Sequence, residues 1–234
     1  MINASWASQR GRECPNNRDI GGYYIGANFV FALIVDISQR GPRGVDFGYD
    51  WTSHVLEGVS RHDTLSPQEA IATMKQACRA LRHCYPAESG SYAAVIIDSQ
   101  RHTAFGISCG DCRLGVNHGE HIEWLSPVHT LAASLANAEE TVPELSPTRH
   151  ILTRSLKARR FTQPEVVQFE AGLRSILLAT DGYWVEHLIE QVPFHQLADD
   201  ASYLTLSADS SAVSSDCDNW LVLSKPQLKS DISF

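Results

Sequence analysis

The chain of 234 residues carries 19 Lys and Arg against 27 Asp and Glu, a formal charge of −8, with 43% hydrophobic and 20% charged residues. That length suits one sizeable domain over residues 1–234 with an ordinary buried core, and the acidic balance argues against a nucleic-acid partner, whose phosphates need clustered Lys and Arg. No run approaches the roughly 20 apolar residues that span a bilayer, and the first residues, MINASWASQRGREC, have no apolar segment behind their basic ones, so a cytoplasmic protein without membrane contact is expected.

In chain order, apolar runs rich in β-branched and aromatic residues predict strands over Tyr23–Ile25, Phe29–Val35, Tyr92–Ile97, Thr103–Ser108, Arg113–Val116, Ser175–Ala179, Tyr203–Leu206 and Trp220–Leu223. Ser66, Pro67 and Glu69 form a capping-box signature that opens a helix with Ile71, Met74, Ala77, Cys78 and Leu81 on one face. A second helix is expected over Ser53–Gly58, with shorter ones over Leu131–Ala138, Trp184–Gln191 and Phe194–Asp199. Strands outnumber helices, and the two longest helices are consecutive. That pattern reads as an α+β layered fold, sheets packed face to face and helices outside.

Four of the apolar runs deliver a carboxylate at one end. FVFALIVD ends in Asp36, HTAFGISCGD in Asp111, and RSILLATDGYW carries Asp181 followed by Gly182, while DNWLVLSK is headed by Asp218. Each Asp alone reads as a turn residue, and Asp181-Gly182 in particular as a tight turn that uses glycine's backbone freedom. If the strands are neighbours, however, the acids converge, and converging carboxylates repel unless cations lie between them. Six cysteines (Cys14, Cys78, Cys84, Cys109, Cys112, Cys217) include a single CxxC, Cys109 to Cys112. A structural zinc site wants a second pair, so reduced thiols serving as small apolar residues are expected.

From about Ala7 to Ser224 the order of segments resembles the PP2C-type metal-dependent protein phosphatases. Gly110-Asp111-Cys112-Arg113 is similar to that family's Gly-Asp-Ser-Arg turn, HILTRSL (His150–Leu156) to its Leu-Thr-Arg-x-Leu segment, ILLATDGYW to its Leu-Leu-x-Ser-Asp-Gly-Leu-Trp signature, and Asp218-Asn219 to its Asp-Asn before the last strand. The resemblance implies a four-layer αββα sandwich, two antiparallel sheets flanked by helices, with a cleft at one sheet edge holding two Mg²⁺ or Mn²⁺ ions and a third, looser one. It further implies Asp36 as the bridging ligand, Asp181 and Asp218 as ligands of one ion, Asp19 as holder of water ligands or the second ion, Asp111 as a ligand of the looser ion, and the peptide carbonyl of Ile37 as a further ligand. Asp36, Asp181 and Asp218 would be the catalytic acids, and Arg12 the guanidinium for the phosphate. The implied activity is hydrolysis of phosphoserine or phosphothreonine in a protein substrate by metal-activated water, by a monomeric enzyme.

Among the chain's departures from the family pattern, two bear on the metal site. In RECPNNRD, Arg18 stands where the family has an acid and Arg12 is displaced by two residues. After Asp36 the family's glycine-rich loop becomes ISQRGPRG, with β-branched Ile37 where glycine would allow positive φ. These departures sustain an alternative, a catalytically impaired pseudophosphatase that binds a phosphoprotein as a regulatory module.

Overall fold

A computed structural model describes residues 2–101, 103–136, 147–170, 175–208, 213–215 and 217–224. Two sheets stack face to face. In chain order the elements are β1 (Asn3–Gln9), β2 (Asp19–Ile25), β3 (Phe29–Ile37), α1 (Gly44–Val59), α2 (Pro67–Leu81), β4 (Ser89–Asp98), β5 (Thr103–Cys109), β6 (Arg113–Asn117), β7 (Ile122–Trp124) and α3 (Leu131–Leu135). Then follow β8 (Leu156–Lys157), β9 (Glu165–Glu170), β10 (Ser175–Ala179), a π-helix over Gly182–Ile189, β11 (Ala201–Ser207), β12 (Val213–Ser215) and β13 (Trp220–Ser224).

One sheet has the order β12-β1-β11-β10-β6-β7 and the other β13-β2-β3-β4-β5-β9, with β8 attached to β4. This is the α+β sandwich expected from the sequence. The pairing is antiparallel except at two edges, where β12 runs parallel to β1 and β13 parallel to β2.

The continuous apolar run of β3 has a simple cause, because both of its faces are covered. Val30, Ala32 and Ile34 pack between the sheets with Trp6, Val95, Leu114, Leu178 and Leu204. Phe29, Phe31, Leu33, Val35 and Ile37 pack under α1 and α2 against Phe47, Trp51, Val55 and Met74. The period of two then assigns Asp36 to the face between the sheets. Its register partners Asp19 on β2 and Ser91 on β4 share that face.

Helix α2 has the expected capping box, the Ser66 hydroxyl accepting from the Glu69 N–H while the Glu69 carboxylate accepts from the Ser66 N–H. Helix α1 begins nine residues earlier than the expected Ser53–Gly58, because Phe47, Trp51, Val55 and Val59 form its buried stripe. Glycines and aromatics in that stretch are weak helix formers, and burial overrides their propensity. The expected helix over Phe194–Asp199 is one short turn, Phe194–Gln196. The last residues of the helix expected over Leu131–Ala138 lie outside the described residues. No described helix is long and apolar enough to cross a membrane.

Candidate metal centre

At one edge of the sandwich, strand ends from both sheets present carboxylates to a common space. Asp19 and Asp36 sit opposite one another on β2 and β3. Asp111 lies in the turn between β5 and β6, and Asp181 follows β10 at the start of the π-helix. Desolvation first, then the neighbouring charges of Asp19, Asp181, Asp111 and Asp199, push the Asp36 carboxyl well above the usual carboxylate range. Asp181 is raised in the same way, by burial and by Asp111, Asp199 and Asp19. Burial and Asp200 lead the causes that raise Asp19, and burial leads for Asp111. Four of the acids singled out in the sequence therefore share one buried, carboxylate-rich edge.

Asp218 is not among the charges that lead those shifts. It is exposed at the head of β13, with its backbone carbonyl accepting from the Tyr49 hydroxyl at 3.1 Å. Its neighbour Asn219 is the structural half of the pair. The Asn219 amide donates to the Asp19 carbonyl at 2.6 Å and to Ser8 Oγ at 2.7 Å, and its oxygen accepts from Trp6 Nε1 at 3.1 Å. Asp199, just ahead of β11, is among the charges that raise Asp181, and its Oδ1 accepts from the Cys14 thiol at 3.2 Å and from the Asp200 N–H at 2.8 Å. Its sequence signal was an Asp-Asp pair heading the alternating strand ASYLTLS, the same acid-at-a-rim construction as the others.

Close backbone approach puts Asp199 there. A Cβ on Gly182 would lie 2.2 Å from the Asp200 carbonyl oxygen, and one on Gly11 2.3 Å from the Asp199 carbonyl carbon. Gly182 has no positive φ, so Asp181-Gly182 is not the tight turn read from sequence; the missing side chain leaves room for the Asp199–Asp200 segment. Arg12 and Glu13 donate their N–H groups to the carbonyls of Leu197 and Ala198, both at 3.0 Å, tying the same segment to the turn after β1. The Arg12 side chain is exposed on that turn.

Asp200 braces the first-acid loop. Its oxygens accept from Gly11 N–H, Arg18 N–H and Gln39 Nε2, each at 2.9 Å. Cys14, Asp199 and Asp200 offer ligand atoms that all lie within 4.8 Å of one another. The Cys14 thiol is pushed upward by burial and donates to Asp199 Oδ1 at 3.2 Å.

Arg18 does not neutralise the cluster with its side chain. One guanidinium nitrogen donates to the carbonyls of Ser38 (2.7 Å) and Gly41 (2.8 Å), holding the loop after Asp36. That contact gives the loop the closure its missing glycines would not supply. Ile37 ends β3 opposite Gly90 in extended backbone, its side chain in the core under the helices, so no positive φ is demanded of it.

The Asp111 turn is fixed from behind. Gly110 takes φ +103°, a region open to glycine. His129 Nδ1 lies 3.2 Å from the Gly110 carbonyl, and its Nε2 lies 3.3 Å from an Arg154 nitrogen that can only donate. The Gly110 N–H also points at Nδ1, at 3.2 Å, so the ring is held against both polar groups of Gly110, and burial and Arg154 lower the histidine. Arg154 in turn pairs with Glu165. From the other side Trp184 Nε1 donates to the Asp111 carbonyl at 2.9 Å.

The donor set fits hard divalent ions. All five converging groups are carboxylates, and Oδ1 of Asp19 and of Asp111 are buried with no hydrogen-bond partner among the described residues. The second Asp19 oxygen accepts from Thr180 Oγ1 at 3.1 Å, so that side chain is oriented with one oxygen to spare.

Comparison with solved structures shows that this two-sheet sandwich is the fold of PP2C-type phosphatases. The chain is similar to the serine/threonine phosphatase Stp1 from Staphylococcus aureus, with TM-score 0.75 and 15% identity over 90% of this chain and 96% of that one. It is similar to the phosphatase MsPP of Mycobacterium smegmatis, solved with cacodylate, with TM-score 0.70 and 20% identity over 87% and 97%. The catalytic domain of PstP, solved with two manganese ions, gives TM-score 0.64 and 17% identity over 88% and 97%. No family model and no curated protein matches the sequence.

Proposed function

We propose that the protein is a metal-dependent phosphatase that hydrolyses phosphoserine and phosphothreonine monoesters in protein substrates. The observation that carries this reading is the shared edge of Asp19, Asp36, Asp111, Asp181 and Asp199, with two buried carboxylate oxygens lacking partners among the described residues. Repulsion among acids so placed is relieved either by protonation or by cations. Asp19, Asp36, Asp181 and Asp199 would hold two Mg²⁺ or Mn²⁺ ions, and Asp111 with Asp181 a third. Asp199 takes the place the sequence reading gave to Asp218, because the Asp218 side chain is exposed. When bound, such ions lower the pKa of water and neutralise phosphoryl oxygens.

The chain's own residues hold that arrangement. Thr180 orients Asp19, His129 and Trp184 fix the Asp111 turn, and Asn219 ties the Asp19 backbone to β1. Burial pushes the thiols of Cys14 and Cys112 upward, so neither is a ready nucleophile, in keeping with direct attack by water. Arg12, exposed beside the segment carrying Asp199, would meet outer phosphate oxygens. A non-catalytic phosphoprotein-binding module has less support, since the Arg18 guanidinium is committed to two carbonyls. A cytoplasmic monomer completes the reading.

The test is hydrolysis of para-nitrophenyl phosphate and of a phosphothreonine peptide by the purified chain. Turnover should require added Mn²⁺ or Mg²⁺ and disappear in EDTA; undiminished turnover in chelator would refute the metal mechanism.

A further inference from the structure

The acid edge is not electrostatically uniform. On both sides the leading charges are further carboxylates, Asp199 among them. On the other side from Asp19 and Asp36 a partly open cleft is lined by Asp111, Asp181, Arg149, Thr130 and an apolar wall that includes Val128 and Trp184. Arg149 is the cation among these lining residues, and its charge favours the ionised forms of both Asp111 and Asp181. It stands on the short turn Pro147–His150, which packs against α3.

Arg149 lines the same cleft as the two acids, yet among the described residues it makes no hydrogen bond to either. Its ion pair there, with Glu190, is long, at 3.9 Å. A guanidinium serving only to neutralise Asp111 or Asp181 would be expected to contact them directly, since a fork geometry suits a carboxylate. Here a space lined by a guanidinium, a hydroxyl and an apolar wall adjoins the proposed ion sites. An apolar wall strengthens a charge-assisted hydrogen bond by lowering the local dielectric.

We infer that Arg149 is a substrate-binding residue, gripping the phosphoryl group of the phosphomonoester from the cleft side, opposite the Asp19 and Asp36 edge. The inference rests on the phosphatase reading for its substrate class. It would divide the work with Arg12, exposed on the turn after β1. The phosphoryl dianion would then be held between ions and a guanidinium, with the attached peptide leaving along the wall of Val128 and Trp184.

The experiment uses the full chain loaded with Mn²⁺, and compares wild type with Arg149→Gln and Arg149→Lys after thermal melts establish that each is folded. Inorganic phosphate binding is measured by calorimetry, and KM and kcat by hydrolysis of para-nitrophenyl phosphate. Arg149→Gln should weaken phosphate binding and raise KM by about tenfold or more, Arg149→Lys should recover part of both, and Mn²⁺ affinity should not fall in either variant. Unchanged phosphate affinity in Arg149→Gln would overturn the inference, as would a loss of Mn²⁺ binding with phosphate affinity intact. Phosphate binding that depends on Arg149 in a protein without turnover would leave the inference standing and sink the phosphatase reading. A wild type that neither binds nor hydrolyses would sink both.

Discussion

The two sides of the acid edge are built by different means. Asp19 and Asp36 are register partners in a β-ladder, and the alternation that buries Ile34 and Val35 on opposite faces also aims Asp36 into the space between the sheets. Asp181 and Asp199 are placed by backbone segments pressed together at Gly182 and Gly11, remote from one another in sequence. A ladder acid inherits its position from many hydrogen bonds and a packed core. A loop acid depends on a few close approaches, so single changes far from the carboxylate should move it.

Removing a ladder acid should have the largest effect. Asp36→Asn should lower metal-dependent turnover by roughly a thousandfold or more, with the fold retained by circular dichroism, because the charge most surrounded by other carboxylates is lost. On the loop side, Asp199→Asn should lower turnover by about a hundredfold while Asp218→Asn stays within about twofold. Equal losses in the two would erase the distinction between them.

Stability should report the close approaches themselves. Gly182→Val has no room beside the Asp200 carbonyl and should cost about 3 kcal/mol in chemical denaturation. Asp200→Ala leaves the N–H groups of Gly11 and Arg18 without their acceptor and should cost about 1–3 kcal/mol.

The pH dependence is a smaller effect with a definite sign. Asp19, Asp36 and Asp181 are raised on folding, by burial first and then by neighbouring acids. Their contribution to stability is complete below the ordinary carboxylate pKa of about 4 and is lost as pH rises through the raised values. The metal-free protein should therefore melt several degrees lower at about pH 8 than at about pH 5, with Mn²⁺ removing the difference. A melting temperature that rises over that range without metal would contradict the clustering of these carboxyls.

What the sequence disclosed follows the same division. The strands around Asp36, Asp111 and Asp181 were readable because each is a run of apolar residues closed by an acid, and α2 because its cap is written in Ser66, Pro67 and Glu69. Asp199 was hidden inside an expected helix, since nothing local shows that Gly182 and Gly11 flank its backbone. Asp218-Asn219 has the expected residue types, but Asn219 is used to tie Asp19 to β1 while Asp218 faces solvent. The early start of α1 was masked by glycines whose cost is offset by packing against α2, β2 and β3. Arg18, which stands where the resembled family has an acid, reaches carbonyls that only the folded loop supplies.

Calorimetric titration of Mn²⁺ into wild type, Asp199→Asn and Asp218→Asn tests the central claim most directly. Wild type should bind at least two ions per chain, Asp199→Asn should lose one of them or hold it far more weakly, and Asp218→Asn should match wild type. A wild type that binds no Mn²⁺, or binding impaired in Asp218→Asn and intact in Asp199→Asn, would contradict the account.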